Sequence, residues 1–280
     1  MSGALVVVGT PIGNLEDMSP RAVRALREAG MICCEDTRRT RKLLSALGVP
    51  APRLVRLDSH TEMAAVAPVV AAVEGGETVV LVSDAGMPTV SDPGSLMVKG
   101  VAAAGLAIDV VPGPCAVSAA LALSGLPAGQ YTFMGFLPRK GPERRQALAR
   151  VAGEPATAVI YEAPNRVAAT VDDLVGACGA DRELVMAREI TKLHQEVWRG
   201  PLGEGPGWLA GAEPRGEWVL VLGPVAAAPV EAGAEAVDAA LRQRFAAGLD
   251  RRRAVAEVAA ELEVRKRLVY EAAVRLKGEA

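Results

Sequence analysis

The sequence predicts an α/β protein with two α/β domains and a small C-terminal helical appendage, and three observations carry that expectation. From Ala4 to Ser124, short β-branched runs alternate with helical stretches, the signature of βα units on a parallel sheet. Beyond Gly125-Leu126-Pro127 such runs continue with more varied connections, as in a mixed sheet. After Pro224-Val225-Ala226-Ala227-Ala228-Pro229, which reads as a linker, only helical periodicity remains.

In the N-terminal domain, residues 1–126, strands are expected at 4–8, 31–34, 54–57, 78–82 and 107–111. Ser19-Pro20 supplies a hydroxyl cap and a proline at the first position of a helix that Gly30 ends. The next helix, 37–47, stops at Gly48 with Pro50 beyond. In the second domain, residues 127–224, the expected strands are 132–135, 158–161, 183–188, 196–199 and 217–222, with helices at 142–151 and 166–178. Three further helices, 234–247, 252–262 and 264–277, make a helix-turn-helix-like piece over residues 231–280, with Val255, Val258, Ala259 and Leu262 at helical spacing.

Bulk properties narrow the function classes. A chain of 280 residues, half of them hydrophobic, can bury a large core. Its apolar runs are strand-sized, well short of the roughly 20 residues of a membrane span, and its start lacks a basic segment and a cleavage site. A cytoplasmic protein without membrane association is expected. The four cysteines and two histidines are too scattered for a zinc site, so no metal is expected. With 31 Lys and Arg against 33 Asp and Glu, the net charge of −2 gives no global attraction to nucleic acid. Any RNA binding would rest on local clusters: Arg38-Arg39-Thr40-Arg41-Lys42, Arg139-Lys140 and Arg144-Arg145. Aromatic residues, at 3%, are too few for a base-stacking platform, which favours recognition of RNA by shape.

Three loops at strand ends carry the most specific chemistry, because open parallel sheets bind ligands there. Gly9-Thr10-Pro11-Ile12-Gly13-Asn14-Leu15 lacks both the phosphate-loop and the dinucleotide fingerprints, and Pro11 removes an amide donor that a phosphate cradle would use. The stretch from Ser83 to Gly94 is a long, shaped loop in which Ser91 or Asp92 is expected to cap the next helix, with Pro93 at its first position. Capping leaves Asp84 unexplained; a carboxylate before Ala85-Gly86 suits an amino group or ribose hydroxyls. Val111-Pro112-Gly113-Pro114-Cys115-Ala116 places small residues at a helix start, where a bulky ligand can come close. A nucleophilic Cys115 is the competing idea, weakened by the absence of a nearby His.

Together with Glu35-Asp36-Thr37-Arg38, Gly135-Phe136-Leu137-Pro138-Arg139, Tyr161-Glu162-Ala163-Pro164-Asn165-Arg166, Arg188-Glu189-Ile190-Thr191-Lys192 and Trp198-Arg199-Gly200, these loops resemble, in order and over nearly the whole chain, the ribosomal RNA small subunit methyltransferase I family. The resemblance implies a tetrapyrrole-methylase fold, with S-adenosylmethionine in a cleft between the two α/β domains. It implies cofactor contacts at Thr10, Pro11, Asp84, Gly86, Met87, Cys115, Ala116 and Tyr161. The implied reaction is 2′-O-methylation of a decoding-centre cytidine of 16S rRNA in the small ribosomal subunit, by a homodimer.

A ribose hydroxyl is a weak nucleophile and calls for a base or a stabilising cation. Glu16, Asp36, Glu162, Glu189 and Lys192 are candidates, and Glu162, Glu189 and Lys192 are the expected catalytic residues. Arg38, Arg39, Arg41, Arg139, Lys140 and Arg166 are the expected RNA contacts. Asn165 stands where the family pattern commonly has His, and the segment Leu57-Asp58-Ser59-His60-Thr61-Glu62 also departs from it. Two rival readings are methylation of a precorrin-like tetrapyrrole or other small acceptor, and a non-catalytic RNA-binding assembly factor.

Overall fold

A computed structural model describes residues 3–58, 61–213, 215–225, 234–262, 264 and 266–278. Ser59 and His60, and residues 226–229 of the expected linker, lie outside them.

Strands β1 (Ala4–Val8), β2 (Met31–Cys34), β3 (Arg53–Arg56), β4 (Thr78–Leu81) and β5 (Ala107–Val111) form an all-parallel sheet in the order β3-β2-β4-β1-β5. Helices α1 (Pro20–Glu28), α2 (Thr37–Ala46), α3 (Glu62–Glu74) and α4 (Ser95–Ala103) cover it. The central strands are apolar at every position but Thr78, because both faces are covered. Leu5, Cys33 and Leu81 pack with Val69 of α3 and Met97 of α4, while Val8, Cys34 and Val80 pack with Leu26 of α1 and Leu44 of α2.

Local signals account for the starts of α1 and α2. Ser19 Oγ accepts the Ala22 N–H at 3.1 Å, and Asp36 Oδ1 accepts the Arg38 N–H at 2.7 Å. β3 begins one residue earlier than expected, where Arg53 pairs with Met31. The cap of α4 differs from expectation. The helix starts at Ser95 and neither Ser91 nor Asp92 caps it; Glu62 Oε1, from α3, accepts the N–H groups of Gly94, Leu96 and Met97 at 2.9, 2.7 and 3.4 Å. A buried carboxylate at a helix N-terminus meets both the orphan donors and the helix dipole, so this distant partner displaces the local one.

A second sheet holds β6 (Tyr131–Phe136), β7 (Thr157–Glu162), β8 (Glu183–Arg188), β9 (Glu196–Pro201) and β10 (Trp218–Leu222), in the order β6-β7-β10-β8-β9. Only β6 and β7 are parallel, so the sheet is mixed, as its varied connections predict. One face packs on α6 (Gly141–Ala152), α7 (Val167–Cys178) and α8 (Gly205–Leu209) through Val151, Val171 and Leu209. The other face receives α5 (Ala116–Ser124): Val117, Ala120 and Leu121 pack against Val159, Val185 and Val219, with Ile12 and Ile190 in the same cluster. A helix that follows the first sheet thus covers the second, and Met1–Pro224 forms one compact unit.

Val225–Ala280 forms another unit. Its helices α9 (Ala234–Ala246), α10 (Arg251–Glu261) and α11 (Lys266–Gly278) enclose a core that includes Leu241, Ala254, Val258, Val269 and Ala273. Asp250 caps α10 by accepting the Arg253 N–H at 2.9 Å, and Arg275 binds both oxygens of Asp238 at 2.7 and 2.8 Å. Among the described residues no helix is long and apolar enough to cross a membrane, and no group of three or more His, Cys, Asp or Glu is placed to hold a metal ion.

Candidate active site

The three strand-end loops lock onto one another through glycine. A Cβ on Gly9 would lie 2.6 Å from the Gly113 Cα, so both positions exclude any side chain. Thr10 and Gly86 form an isolated antiparallel bridge, with N–H to carbonyl distances of 2.9 and 3.1 Å, and Gly86 takes a φ of +85° to make it. Thr10 Oγ1 also donates to the Ser83 carbonyl at 3.2 Å.

Of the cavities that border these loops, two take in the expected cofactor contacts. The larger, about 340 Å³, lies between the first sheet's loops and the second sheet. Gly86, Met87, Cys115, Ala116 and Tyr161 line it. The smaller, about 240 Å³, is lined by Thr10, Pro11 and Asp84 together with Arg39, Thr40 and Leu43 of α2. The expected cofactor contacts are thereby divided five and three between adjoining cavities.

The floor of the larger cavity is aromatic. β6 carries an irregularity between Phe133 and Gly135, where Gly135 takes a φ of +64°. Phe133 and Phe136 both meet Tyr161 edge-on, with centroids 4.8 and 5.6 Å away. Burial pushes the Tyr161 hydroxyl up, so it stays a neutral phenol.

Asp92 lines the same cavity. Burial, then the charges of Glu35 and Asp84, push its carboxyl up to about 6 against an opposing hydrogen bond from Ser83. Thr89 and Ser91 on its loop take φ values of +71° and +69°, rare for residues with a Cβ.

The residues expected to be catalytic are engaged differently. Lys192 Nζ lies 2.8 Å from Glu189 Oε1 and 3.0 Å from Glu217 Oε2. Against the burial that would lower it, those two carboxylates hold the Lys192 ammonium above its ordinary range. Glu189 has a φ of +54°, and its Oε1 also accepts the Glu217 N–H at 3.0 Å. Against the burial that would raise it, Lys192, that N–H and Arg188 hold its carboxyl low. The Glu162 side chain is fully buried: Oε2 accepts from Thr170 Oγ1 at 2.6 Å, and Oε1 accepts the Ala163 N–H at 2.8 Å with Arg166 Nε at 3.3 Å. Asp36 caps α2, and the Arg38 N–H holds its carboxyl low. Glu16 sits in a short 3-10 turn, its N–H donating to Asn14 Oδ1.

The basic residues also separate. Arg38, Arg41, Arg139 and Lys140 are exposed. Arg39 is 3.5 Å from Asp84 Oδ2 at the smaller cavity, and Arg166 is held by Glu162 and by the Leu137 carbonyl at 2.6 Å. Asn165 is exposed between β7 and α7.

The sequence profile of the tetrapyrrole (corrin/porphyrin) methylases matches residues 4–205. The chain belongs to that family. A Pseudomonas aeruginosa protein named ribosomal RNA small subunit methyltransferase I is 39% identical over all of this chain and 99% of its own length. One of the same name from Xylella fastidiosa is 45% identical over 79% of this chain and 81% of its own. Among solved structures, a Thermus thermophilus uroporphyrin-III C-methyltransferase complexed with S-adenosylhomocysteine shares the fold, with a TM-score of 0.54 at 20% identity, over 79% of this chain and 97% of that one.

This family member is a methyltransferase that uses S-adenosylmethionine, and the larger cavity suits that molecule. Gly86, Ala116, Ala163 and Gly216 leave room along its walls, and Met87, Ile190 and Val219 offer apolar surface to an adenosyl group. The bound cofactor supplies an electrophilic methyl group; the protein's part is to orient it and exclude water.

Sequence reasoning missed Phe136 and Asp92 as wall residues. Gly135 inside a strand pattern signals a bulge that redirects its neighbour. Asp92 looked like a cap, and only Glu62, 30 residues earlier in the chain, frees it from that role.

Proposed function

We propose that this protein transfers a methyl group from S-adenosylmethionine to the ribose 2′-hydroxyl of a decoding-centre cytidine in 16S rRNA. The observation that carries this reading is the end-to-end likeness to the Pseudomonas aeruginosa small subunit rRNA methyltransferase, which includes the loops that build both cavities. The loops around Gly9, Gly86 and Gly113 hold the larger cavity in shape, Tyr161 and Phe136 give it an apolar floor, the acceptor ribose enters that cavity to meet the methyl group, and the smaller cavity beside α2 receives a flanking nucleotide. Exposed Arg38, Arg41, Arg139 and Lys140 neutralise RNA phosphates, which dominate affinity for nucleic acid. The protein works in the cytoplasm on the small ribosomal subunit or its RNA.

Small subunits from a strain lacking the gene, incubated with labelled S-adenosylmethionine and this protein, test the reading. Alkaline hydrolysis is expected to leave one new resistant linkage in 16S RNA, because a 2′-O-methyl group removes the internal nucleophile. RNA without such a linkage overturns the assignment, and label in an added tetrapyrrole instead would identify a small-acceptor enzyme.

The reading includes a homodimer. β5 closes one edge of its sheet with Ile108 and Val110 38% and 48% exposed on either side of Asp109, and exposed apolar side chains on an edge strand invite a second chain. Light scattering on eluted protein is expected to give twice the chain mass.

A further inference from the structure

We infer that Asp92 is the catalytic base, accepting the proton of the acceptor hydroxyl as the methyl group is transferred. The inference rests on the acceptor being a ribose hydroxyl, as proposed above, and adds the residue that activates it.

Of the other five candidates, Glu16 is exposed on a 3-10 turn and lines neither cavity, and the remaining four are committed elsewhere. Lys192 is held as an ammonium between Glu189 and Glu217 and has no lone pair to take a proton. Glu189 is the acceptor for Lys192 and for a backbone N–H, and is held acidic. Both Glu162 oxygens have donors, and Asp36 is a helix cap.

Asp92 differs on every count. It stands in the wall of the larger cavity beside Gly86, Met87 and Tyr161. Its loop is fixed at both ends, by the Thr10–Gly86 bridge and by Glu62 at the Gly94 N–H. Between them, left-handed Thr89 and Ser91 set the direction of the chain, a strain that tight surroundings must hold in place. Among the described residues no ion pair engages it.

The charged and titratable groups facing Asp92 are Glu35 at the end of β2, Asp84 at the end of β4 and the Tyr161 phenol on β7, with the Ser83 hydroxyl as its hydrogen-bond partner. Arg39 faces Asp84. Burial and these carboxylates bring Asp92 to about 6. Such a carboxyl is ionised at neutral pH and more basic than an ordinary aspartate, as general-base catalysis requires.

In the transfer, the acceptor oxygen forms its bond to the methyl carbon as the carbon–sulfur bond breaks. The bonding pair stays on sulfur, giving a neutral thioether. The hydroxyl proton passes to the Asp92 carboxylate and from there to solvent.

The test uses the full chain and its Asp92→Asn and Asp92→Glu variants. In wild type, the rate of methyl transfer to small subunits at saturating cofactor is expected to fall in acid with a midpoint near 6. Asp92→Asn is expected to lose about 10²- to 10⁴-fold in that rate and to lose the acidic limb, while Asp92→Glu keeps the limb. Calorimetry is expected to give S-adenosylmethionine affinities for Asp92→Asn within about threefold of wild type, since the base acts on the acceptor. Carbon-13 NMR of the free protein, a readout independent of turnover, is expected to show one carboxyl titrating near 6 that the Asn variant lacks.

An Asn variant that keeps the acidic limb, or one that no longer binds cofactor, overturns the inference while leaving the rRNA reading intact. A wild-type protein that binds cofactor and leaves RNA unmethylated overturns both. Should the Asn variant unfold, the wild-type NMR titration decides: the absence of a carboxyl titrating near 6 overturns the assignment.

Discussion

Glu62 Oε1 receives the Gly94 N–H at 2.9 Å and the Leu96 N–H at 2.7 Å, so a carboxylate of α3 serves as the N-terminal cap of α4. Glu62 is buried, and without it those donors lose their partner. Glu62→Ala is expected to cost about 1.5–3 kcal/mol, the range for hydrogen bonds to a charged group. Glu62→Gln keeps an oxygen acceptor and is expected to cost less. Urea melts of the three proteins check the order. Because the capped residues end the loop that carries Asp92, Glu62→Ala is also expected to slow methyl transfer more than Glu62→Gln does.

Gly9 and Gly113 approach so closely that either Cβ would strike backbone: on Gly9 at 2.6 Å from the Gly113 Cα, on Gly113 at 2.8 Å from the Gly9 Cα. Backbone cannot swing aside as a side chain can. Gly9→Ala or Gly113→Ala is expected to destabilise by about 1–3 kcal/mol through overpacking and to weaken S-adenosylmethionine binding, because the Gly113 loop carries Cys115 and Ala116 and a Cβ on Gly9 would also press on Met87 Sδ at 2.7 Å. Gly129→Ala, where nothing lies within 4 Å of the added carbon, is the control and is expected to leave binding unchanged. Calorimetric titration distinguishes the three.

The sequence carried the fold further than it carried the site. Strand runs in β1, β2 and β5, and the cap Ser19, rest on neighbouring residues and could be read in place, whereas Asp36, which caps α2, reads in the sequence only as a candidate base. α3 is nearly apolar throughout, with Pro68 inside it, and has no polar face from which its bounds could be drawn. The cap of α4, the Thr10–Gly86 bridge and the Arg39–Asp84 contact join residues 32 to 76 positions apart or on different elements, and no local pattern encodes such partners. Glu189 and Lys192 were candidates by residue type, but type could not show that their charges face each other and Glu217.

That triad has a pH signature. The Glu189 carboxyl is held below its unfolded value, so its contribution to stability is present above the unfolded pKa and lost as pH falls through the folded one. Lys192 is held above its ordinary value, so its contribution is present below the unfolded lysine pKa and lost only as pH rises through the folded one. Glu189→Gln is therefore expected to melt lower than wild type at neutral pH, with the gap closing in acid as Glu189 protonates. Melting temperatures across pH check this; a gap that stays constant into acid would mean that the carboxylate charge is not what the substitution removes.

Arg38 and Arg166 are expected to separate RNA binding from folding. Arg38 has a side chain 91% exposed on the first turn of α2, while Arg166 lies against the buried Glu162 and donates to the Leu137 carbonyl. Removing an exposed cation that neutralises a phosphate flattens the salt dependence of binding by about 0.7–0.9 per contact on logarithmic axes. Arg38→Ala is expected to show that change with an unaltered melting curve. Arg166→Ala strands a buried carboxylate and is expected to cost about 3 kcal/mol, the low end for breaking a buried pair because Arg166 is partly exposed. Its folded fraction is expected to keep the wild-type salt slope. Filter binding to 16S RNA over a salt series, beside urea melts, assigns each residue, and a flattened slope for Arg166→Ala with unchanged stability would reverse the assignment.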